Sequence, residues 1–294
     1  MVDKRELVAL AEVDEIVKTA IYSGHLEKAI PMSIILIAPS GCAKSKLLLR
    51  FGGESIDRSE DLTSSGLYEA LSDDKEGKLK HFLLGDFNTV LSHKSSVTGL
   101  TVASLLSITS DGTVKVSDGR RSKDLKHAPC GILTAATPKM FSRHYMKWEE
   151  LGFLRRFIPI HYTYTTQTRR LIMNEIKSQK VTLQPMPPVE IKFNGAARNP
   201  AIAMKEAGEI ENLAYMMTAN LAAHPMRVRD KQTKKLVIKT RHGEAPMEFT
   251  PALILQTFAR SHAAMEGRGQ VNDKDISFLE RLVDFTNFAE PKKL

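Results

Sequence analysis

The chain has only two cysteines in 294 residues, a single tryptophan, and aromatic residues at 6%. Cys42 and Cys130 are too few for a disulfide framework or a zinc site. Long apolar runs are missing as well. The stretch around Ile34–Ala38 stops far short of the ~20 residues that a membrane span needs. Residues 1–15 mix both charge signs and lack the apolar centre of a secretory signal. There is no internal repeat and no low-complexity tract. These absences predict an intracellular, cytoplasmic protein with no membrane association, stabilised by its core rather than by covalent staples.

What is present is ordinary in bulk and basic in balance. Hydrophobic residues make up 42% and charged residues 26%, as in soluble globular domains. Lys and Arg number 42 against 34 Asp and Glu, a net charge of +8. That balance suits a phosphate-bearing partner, because each neutralised phosphate releases condensed counterions. Many basic proteins touch no nucleic acid, so charge alone decides nothing.

The pattern along the chain predicts an α/β fold. Leu7, Leu10, Val13, Ile16, Val17 and Ala20 recur at helical spacing over 5–24. Continuous apolar runs at Ser33–Ala38, His81–Gly85, Gly131–Ala136 and Phe157–Tyr164 read as buried strands. Helical stretches lie between them, notably Lys44–Phe51 and Leu100–Ile108, so a parallel sheet with helices on both faces is expected. Asp111-Gly112 and Asp118-Gly119 bracket Thr113–Val116 as in a hairpin. Pro185, Pro187 and Pro188 mark a linker over 181–204, after a core of 1–180. Residues 205–294 read as mainly helical, with helices over Ala201–Asn220, Thr250–Met265 and Asp275–Phe288. Within them 227–241 carries seven Lys or Arg against one Asp, with Leu236–Ile238 as a short strand.

The residues that carry chemistry begin at Ala38-Pro39-Ser40-Gly41-Cys42-Ala43-Lys44-Ser45. The template is G-x-x-x-x-G-K-[ST], whose backbone amides wrap phosphates. Pro39 through Lys46 is therefore the candidate binding loop, with Lys44 neutralising phosphate charge and Ser45 ligating Mg²⁺. Ala38 and Ala43 replace both signature glycines, which is acceptable only where their φ values are negative. Asp86, ending a strand, is a candidate to hold Mg²⁺ or position an attacking water, or else a helix N-cap. Gly85 and Phe87 flank it, so there is no tandem acidic pair. Arg155-Arg156 before a strand could reach a phosphate across a subunit boundary, or be a plain surface pair.

In this order the elements resemble the ATPase core of AAA+ P-loop proteins, and within them the minichromosome maintenance (MCM) type helicases. The likeness covers about residues 30–165 and resumes in the C-terminal helices. Leu84-Gly85-Asp86-Phe87-Asn88 is similar to the family's I-D-E-F-D, which puts Asp86 on the catalytic glutamate and Gly85 on the metal-binding aspartate, or, in the other register, Asp86 on the aspartate and Phe87 in place of the glutamate; either register loses one carboxylate. Thr134-Ala135-Ala136-Thr137-Pro138 resembles sensor 1, A-A-N-P, with Thr137 in place of asparagine. Leu154-Arg155-Arg156-Phe157 resembles L-S-R-F and makes Arg156 the arginine finger. Asp111–Arg121 resembles the hairpin that contacts DNA, with Lys115, Arg120, Arg121 and Lys123 as its basic residues. Phe258–Ala263 and Val271–Ile276 resemble the helical lid's L-A-E-A-H-A … V-T-x-x-D-V. The family's sensor 2 arginine is missing from this alignment, with Arg260 an ill-fitting substitute, and so is the MCM N-terminal domain.

The resemblance implies a P-loop core with a parallel sheet and a C-terminal helical lid. It also implies ATP and Mg²⁺ between the subunits of a hexameric ring acting on DNA, as a helicase, translocase or loader in replication or a mobile element. The alternative is a nucleotide-binding assembly switch with little turnover. The loop alanines, the single acid, Thr137 and the missing sensor 2 arginine favour it. A protein substrate is disfavoured by the lack of an aromatic-Val-Gly pore motif.

Overall fold

The computed structural model describes residues 9–59, 62–117, 122–177, 188–191, 199–229, 236–242 and 249–294. The order begins with α1 (Ala11–Tyr22), β1 (Ser33–Ile37), α2 (Lys44–Leu49), β2 (Phe51–Gly52), β3 (Ile56–Ser59) and α3 (Ser64–Asp73). Then come β4 (His81–Leu84), α4 (Phe87–Ser92), α5 (Ser95–Ile108), β5 (Thr113–Ser117), β6 (Ser122–Lys126) and β7 (Gly131–Ala136). The middle closes with α6 (Pro138–Glu150), β8 (Phe157–Thr163), α7 (Thr166–Lys177) and β9 (Val189–Glu190). Last are α8 (Met204–Ala222), β10 (Ala223–Arg229), β11 (Leu236–His242), α9 (Phe249–Met265), α10 (Asp273–Phe285) and β12 (Lys292–Lys293).

Six strands form one parallel sheet in the order β12-β8-β1-β7-β4-β3. Every residue of β1, β4 and β7 is buried, which is why these segments read as unbroken apolar runs rather than alternating ones. Along β1 the faces alternate. Ile34 and Leu36 join the cluster with α1, α2 and α8–α10, whereas Ile35 and Ile37 join the one with α3–α6. Each such side chain contributes about 1.5–3 kcal/mol by burial, so β1 anchors both layers.

The four sequence-expected strands therefore stand in one sheet, and β3 and β12 extend it at its edges. The expected first helix is seen over Ala11–Tyr22, and residues 1–8 lie outside the described ones. Within the expected linker, β9 pairs in parallel with β2, so 189–190 returns to the core. The expected C-terminal helices α8–α10 share one hydrophobic cluster with α1 and β8. The basic segment proves to be the antiparallel ribbon β10–β11, longer than the expected Leu236–Ile238 strand. Among the described residues no helix is long and apolar enough to cross a membrane.

A charged cluster ties the first helix to the last two. Asp275, fully buried, accepts from both Arg268 guanidinium nitrogens at 2.6 Å and sits 2.6 Å from His262 Nδ1. The other face of His262 reaches Glu15 at 3.3 Å, and Glu15 accepts from Arg281 at 2.7 Å. Burial alone would lower the His262 pKa, but Asp275 and Glu15 outweigh it and push it up to about 9. Burial also acts to raise Asp275, yet its bonds to Arg268, His262 and the Asn272 amide bring it down to about 2. The His262 contribution is complete below its unfolded pKa of 6.5 and is lost as pH climbs towards about 9. The Asp275 contribution is present above 3.8 and is lost as pH falls towards about 2. Thermal melts should thus show a plateau from about pH 4 to 6.5 and a decline to pH 9 on the order of 3 kcal/mol. His262→Gln should melt lower at pH 6 and flatten the alkaline decline; an unchanged slope would refute the pairing.

Candidate functional site

The loop follows from a strand that must stop. β1 ends at Ile37, Ala38 still donates to Ala136 at 3.3 Å, and Pro39 lacks an amide proton to continue the ladder. The Cys42 amide donates to Pro39 O at 3.3 Å, closing a turn in which Gly41 has φ +86°. A positive φ at that turn position suits a type II turn and favours glycine. Ala43 corrects the sequence expectation: its φ is +55°, in the left-handed region, while Ala38 is not among the positive-φ residues. A Cβ in that region costs about 1–2 kcal/mol. The loop thus keeps the glycine-like geometry at 43 without the glycine.

The N–H groups of Ala43, Lys44, Ser45 and Lys46 find no acceptor among the described residues, the usual situation at a helix start lacking a side-chain cap. Lys44 is only 9% exposed, and its Nζ donates to the carbonyls of Ala38 (2.8 Å) and Pro39 (3.0 Å). Burial pulls its pKa below the ordinary lysine value, with Cys42 and Asp86 acting in the opposite direction. The ammonium therefore closes the loop from inside. Burial likewise raises the Cys42 thiol. Pro39, Ser40, Gly41 and Lys46 are exposed, on the outer side of the loop.

Ser45 donates its Oγ proton to Gly85 O at 2.5 Å, which leaves the oxygen's lone pairs for a cation. A Cβ at Gly85 would lie 3.1 Å from Leu49 Cδ1 and 3.7 Å from Ser45 Cβ. Glycine is what lets α2 sit this close to the end of β4. Asp86 is exposed and caps α4, accepting from the Asn88 amide at 2.9 Å. It stands near enough to Lys44 to oppose part of the lowering that burial imposes on the lysine's pKa. Thr137 immediately precedes α6, and its Oγ1 accepts from the Met140 amide at 3.3 Å. Because β1, β7 and β4 are adjacent and parallel, the loop, Thr137 and Asp86 all lie at the same edge of the sheet.

Arg156 lies elsewhere. It precedes Phe157, which pairs with Ser33 at the opposite end of β1. The four-residue rise from Ser33 to Ile37 puts about 13 Å between Arg156 and the loop edge. Its Nη1 donates to Gly152 O at 3.2 Å, and its neighbour Arg155 is exposed. The expected hairpin is β5–β6, with Lys115 paired to Asp124 and Lys123 to Val116. Arg120 and Arg121 lie outside the described residues.

Sequence reasoning missed the wall opposite the loop. Tyr162, on β8 and fully buried, donates its hydroxyl to Cys42 O at 3.0 Å. Arg169 of α7 donates Nε to Tyr164 O at 3.1 Å. Loop residues 39–42 with Tyr164, Arg169 and Ile172 line a cleft of about 370 Å³. Cys42 and Tyr162 are 120 positions apart, and only the adjacency of β8 and β1 brings them together. A tyrosine next to the last residue of a strand was the available signal.

The geometry at position 43 yields a direct test. Ala43→Gly should raise stability by about 0.5–1 kcal/mol, the relief of the left-handed strain less the added unfolded-chain entropy. Urea denaturation with an unchanged m-value would register it; a loss of stability would contradict the left-handed conformation. No protein-family model matches the chain, and a search of curated proteins finds no match either.

Proposed function

We propose that this chain is an AAA+ P-loop ATPase subunit with a C-terminal helical lid, which binds ATP between subunits and acts on DNA. The observation that carries the reading is the loop itself. Lys44 closes on the Ala38 and Pro39 carbonyls, four successive amides lack acceptors, and Ser45, Asp86 and Thr137 stand at the same sheet edge. Such amides and a lysine are what a polyphosphate recognises. The neighbouring cleft with Tyr164 and Ile172 offers apolar walls for a base.

The residues divide the work. Lys44, released from its two carbonyls, neutralises phosphate charge. Ser45 Oγ and one oxygen of Asp86 would hold Mg²⁺, which keeps several waters and accepts one carboxylate plus phosphate oxygens. The ion supplies charge neutralisation at the phosphates. Asp86 also orients the attacking water and takes its proton, and the Thr137 hydroxyl donates to the phosphate or the water. Arg156 is about 13 Å from its own loop edge, so it serves the site of the next subunit in a ring. The β5–β6 hairpin, with Lys115 and Lys123, meets DNA.

A second reading has its own observation. With a single acid at the end of β4, and that acid, Asp86, already capping α4, the site is better equipped to hold nucleotide than to split it. In that case the chain is an assembly switch with little turnover.

Lys44→Ala should weaken binding of a fluorescent ATP analogue by roughly thirtyfold or more, since a buried charge contact is worth about 2 kcal/mol at least. Arg156→Ala should keep binding but lower hydrolysis by roughly a thousandfold. Mixing the two variants should restore hydrolysis, because one interface then has an intact Lys44 and an intact Arg156. No restoration would sink the intersubunit site. Tight binding without turnover, indifferent to DNA, would favour the switch, and failure to bind ATP at all would end both readings.

A further inference from the structure

The ribbon β10–β11 has no counterpart in the resemblance and takes no part in the nucleotide site. Seven pairs hold it in antiparallel register, from Ala223↔His242 to Arg229↔Leu236. Paired residues share a face and successive residues alternate. Arg227 and Arg229 therefore fall on one face, with Leu236 and Ile238. Lys239 and Arg241 fall on the other, with Val228 and Val237. In backbone contacts, β10 touches α6 and α8, and β11 packs mainly on β10. Tyr145 of α6 fixes the base, donating its hydroxyl to Leu221 O at 3.4 Å. The same helix carries Lys139 and Arg143 at exposed positions.

We propose that the β10–β11 ribbon is a second nucleic-acid contact, which enters the major groove of duplex DNA. Cations on both faces are the deciding feature. A membrane surface or a flat acidic partner is met by one face and leaves the other unused. A groove has phosphate walls on two sides, and the B-form major groove, about 12 Å wide, admits a two-stranded ribbon. The A-form major groove of duplex RNA is too narrow and deep for it. The inference extends the DNA half of the proposed function and needs nothing of the nucleotide half.

The test uses the whole chain and a labelled 20-base-pair duplex of arbitrary sequence, with affinity measured by anisotropy across a salt series. Each phosphate contact contributes about 0.9 to the slope of log affinity against log salt. Arg227→Gln with Arg229→Gln should lower the slope by about 1.8, and Lys239→Gln with Arg241→Gln by a similar amount. Arg227→Lys with Arg229→Lys should retain the slope, as a phosphate contact requires. An unchanged slope in both glutamine pairs overturns the proposal, as does a change in one pair alone. Equal affinity for duplex RNA, or for vesicles of anionic lipid, also overturns it. Lysine acetylation of the unaltered protein removes any dependence on variant folding. Duplex DNA should protect Lys239. Protection of Lys115 and Lys123 with Lys239 still reactive would refute this inference and leave the first hairpin's role intact.

Discussion

The parallel pairing of β1 between β7 and β8 fixes where every candidate residue stands. β1 is wholly buried, so its amides and carbonyls must be satisfied on both sides by neighbouring strands. Once β7 takes one side and β8 the other, the ends of three strands meet the loop. β7 delivers Thr137, β8 delivers Tyr162 beneath Cys42, and β4, next to β7, delivers Gly85 and Asp86. The same parallel register sends Arg156 to the far edge. One sheet thus carries a phosphate-type loop at one edge and an arginine at the other. That separation is what calls for a second subunit if both are to serve one reaction.

How much of this was legible depended on whether the signal was local. Ile34–Ile37 and Ile132–Leu133 announce themselves because a strand covered on both faces needs apolar residues at consecutive positions. The glycine-bearing pairs flanking Thr113–Val116 marked a hairpin, although its second strand begins only at Ser122. The two lid-like segments were legible as a resemblance, and His262 of one meets Asp275 of the other at 2.6 Å. Other features had no local trace. β12 is two lysines, and nothing in their chemistry says that they pair with Tyr162 and Thr163. An alanine at 43 carries no mark of a left-handed backbone, whereas a glycine would. The ribbon β10–β11 was obscured because basic and apolar residues are interleaved on both faces, so neither helical nor strand periodicity stands out.

The cluster of Glu15, His262, Arg268, Asp275 and Arg281 joins the two ends of the described chain. A buried ion cluster is weak evidence for net stability, since desolvation offsets much of the attraction. Its consequence is geometric. Asp275 has an Arg fork on one side, an imidazolium on another, and the Asn272 amide at 2.8 Å on the third. Such a carboxylate leaves α9 and α10 little freedom to slide, and Glu15 extends the constraint to α1. These helices pack on the same face of the sheet as α2. Any motion of the C-terminal helices in response to nucleotide would have to carry α1 along, or break bonds to a buried carboxylate.

The tension between holding nucleotide and splitting it comes down to the contact of α2 with β4. Ser45 reaches Gly85 O at 2.5 Å only because residue 85 has no side chain to hold the helix off. A carboxylate there would need Leu49 to move, given its methyl 3.1 Å from the nearest possible Cβ. Close packing of Ser45 therefore comes at the expense of a second acid. What the arrangement gains is a hydroxyl whose proton is already committed to Gly85, with its lone pairs turned to a cation. What it would lose, in the proposed site, is the ability to separate metal binding from water activation, both of which would then fall to Asp86. That aspartate also caps α4, with one carboxylate oxygen engaged by the Asn88 amide. In the proposed site, tight binding and slow chemistry would both follow from Gly85.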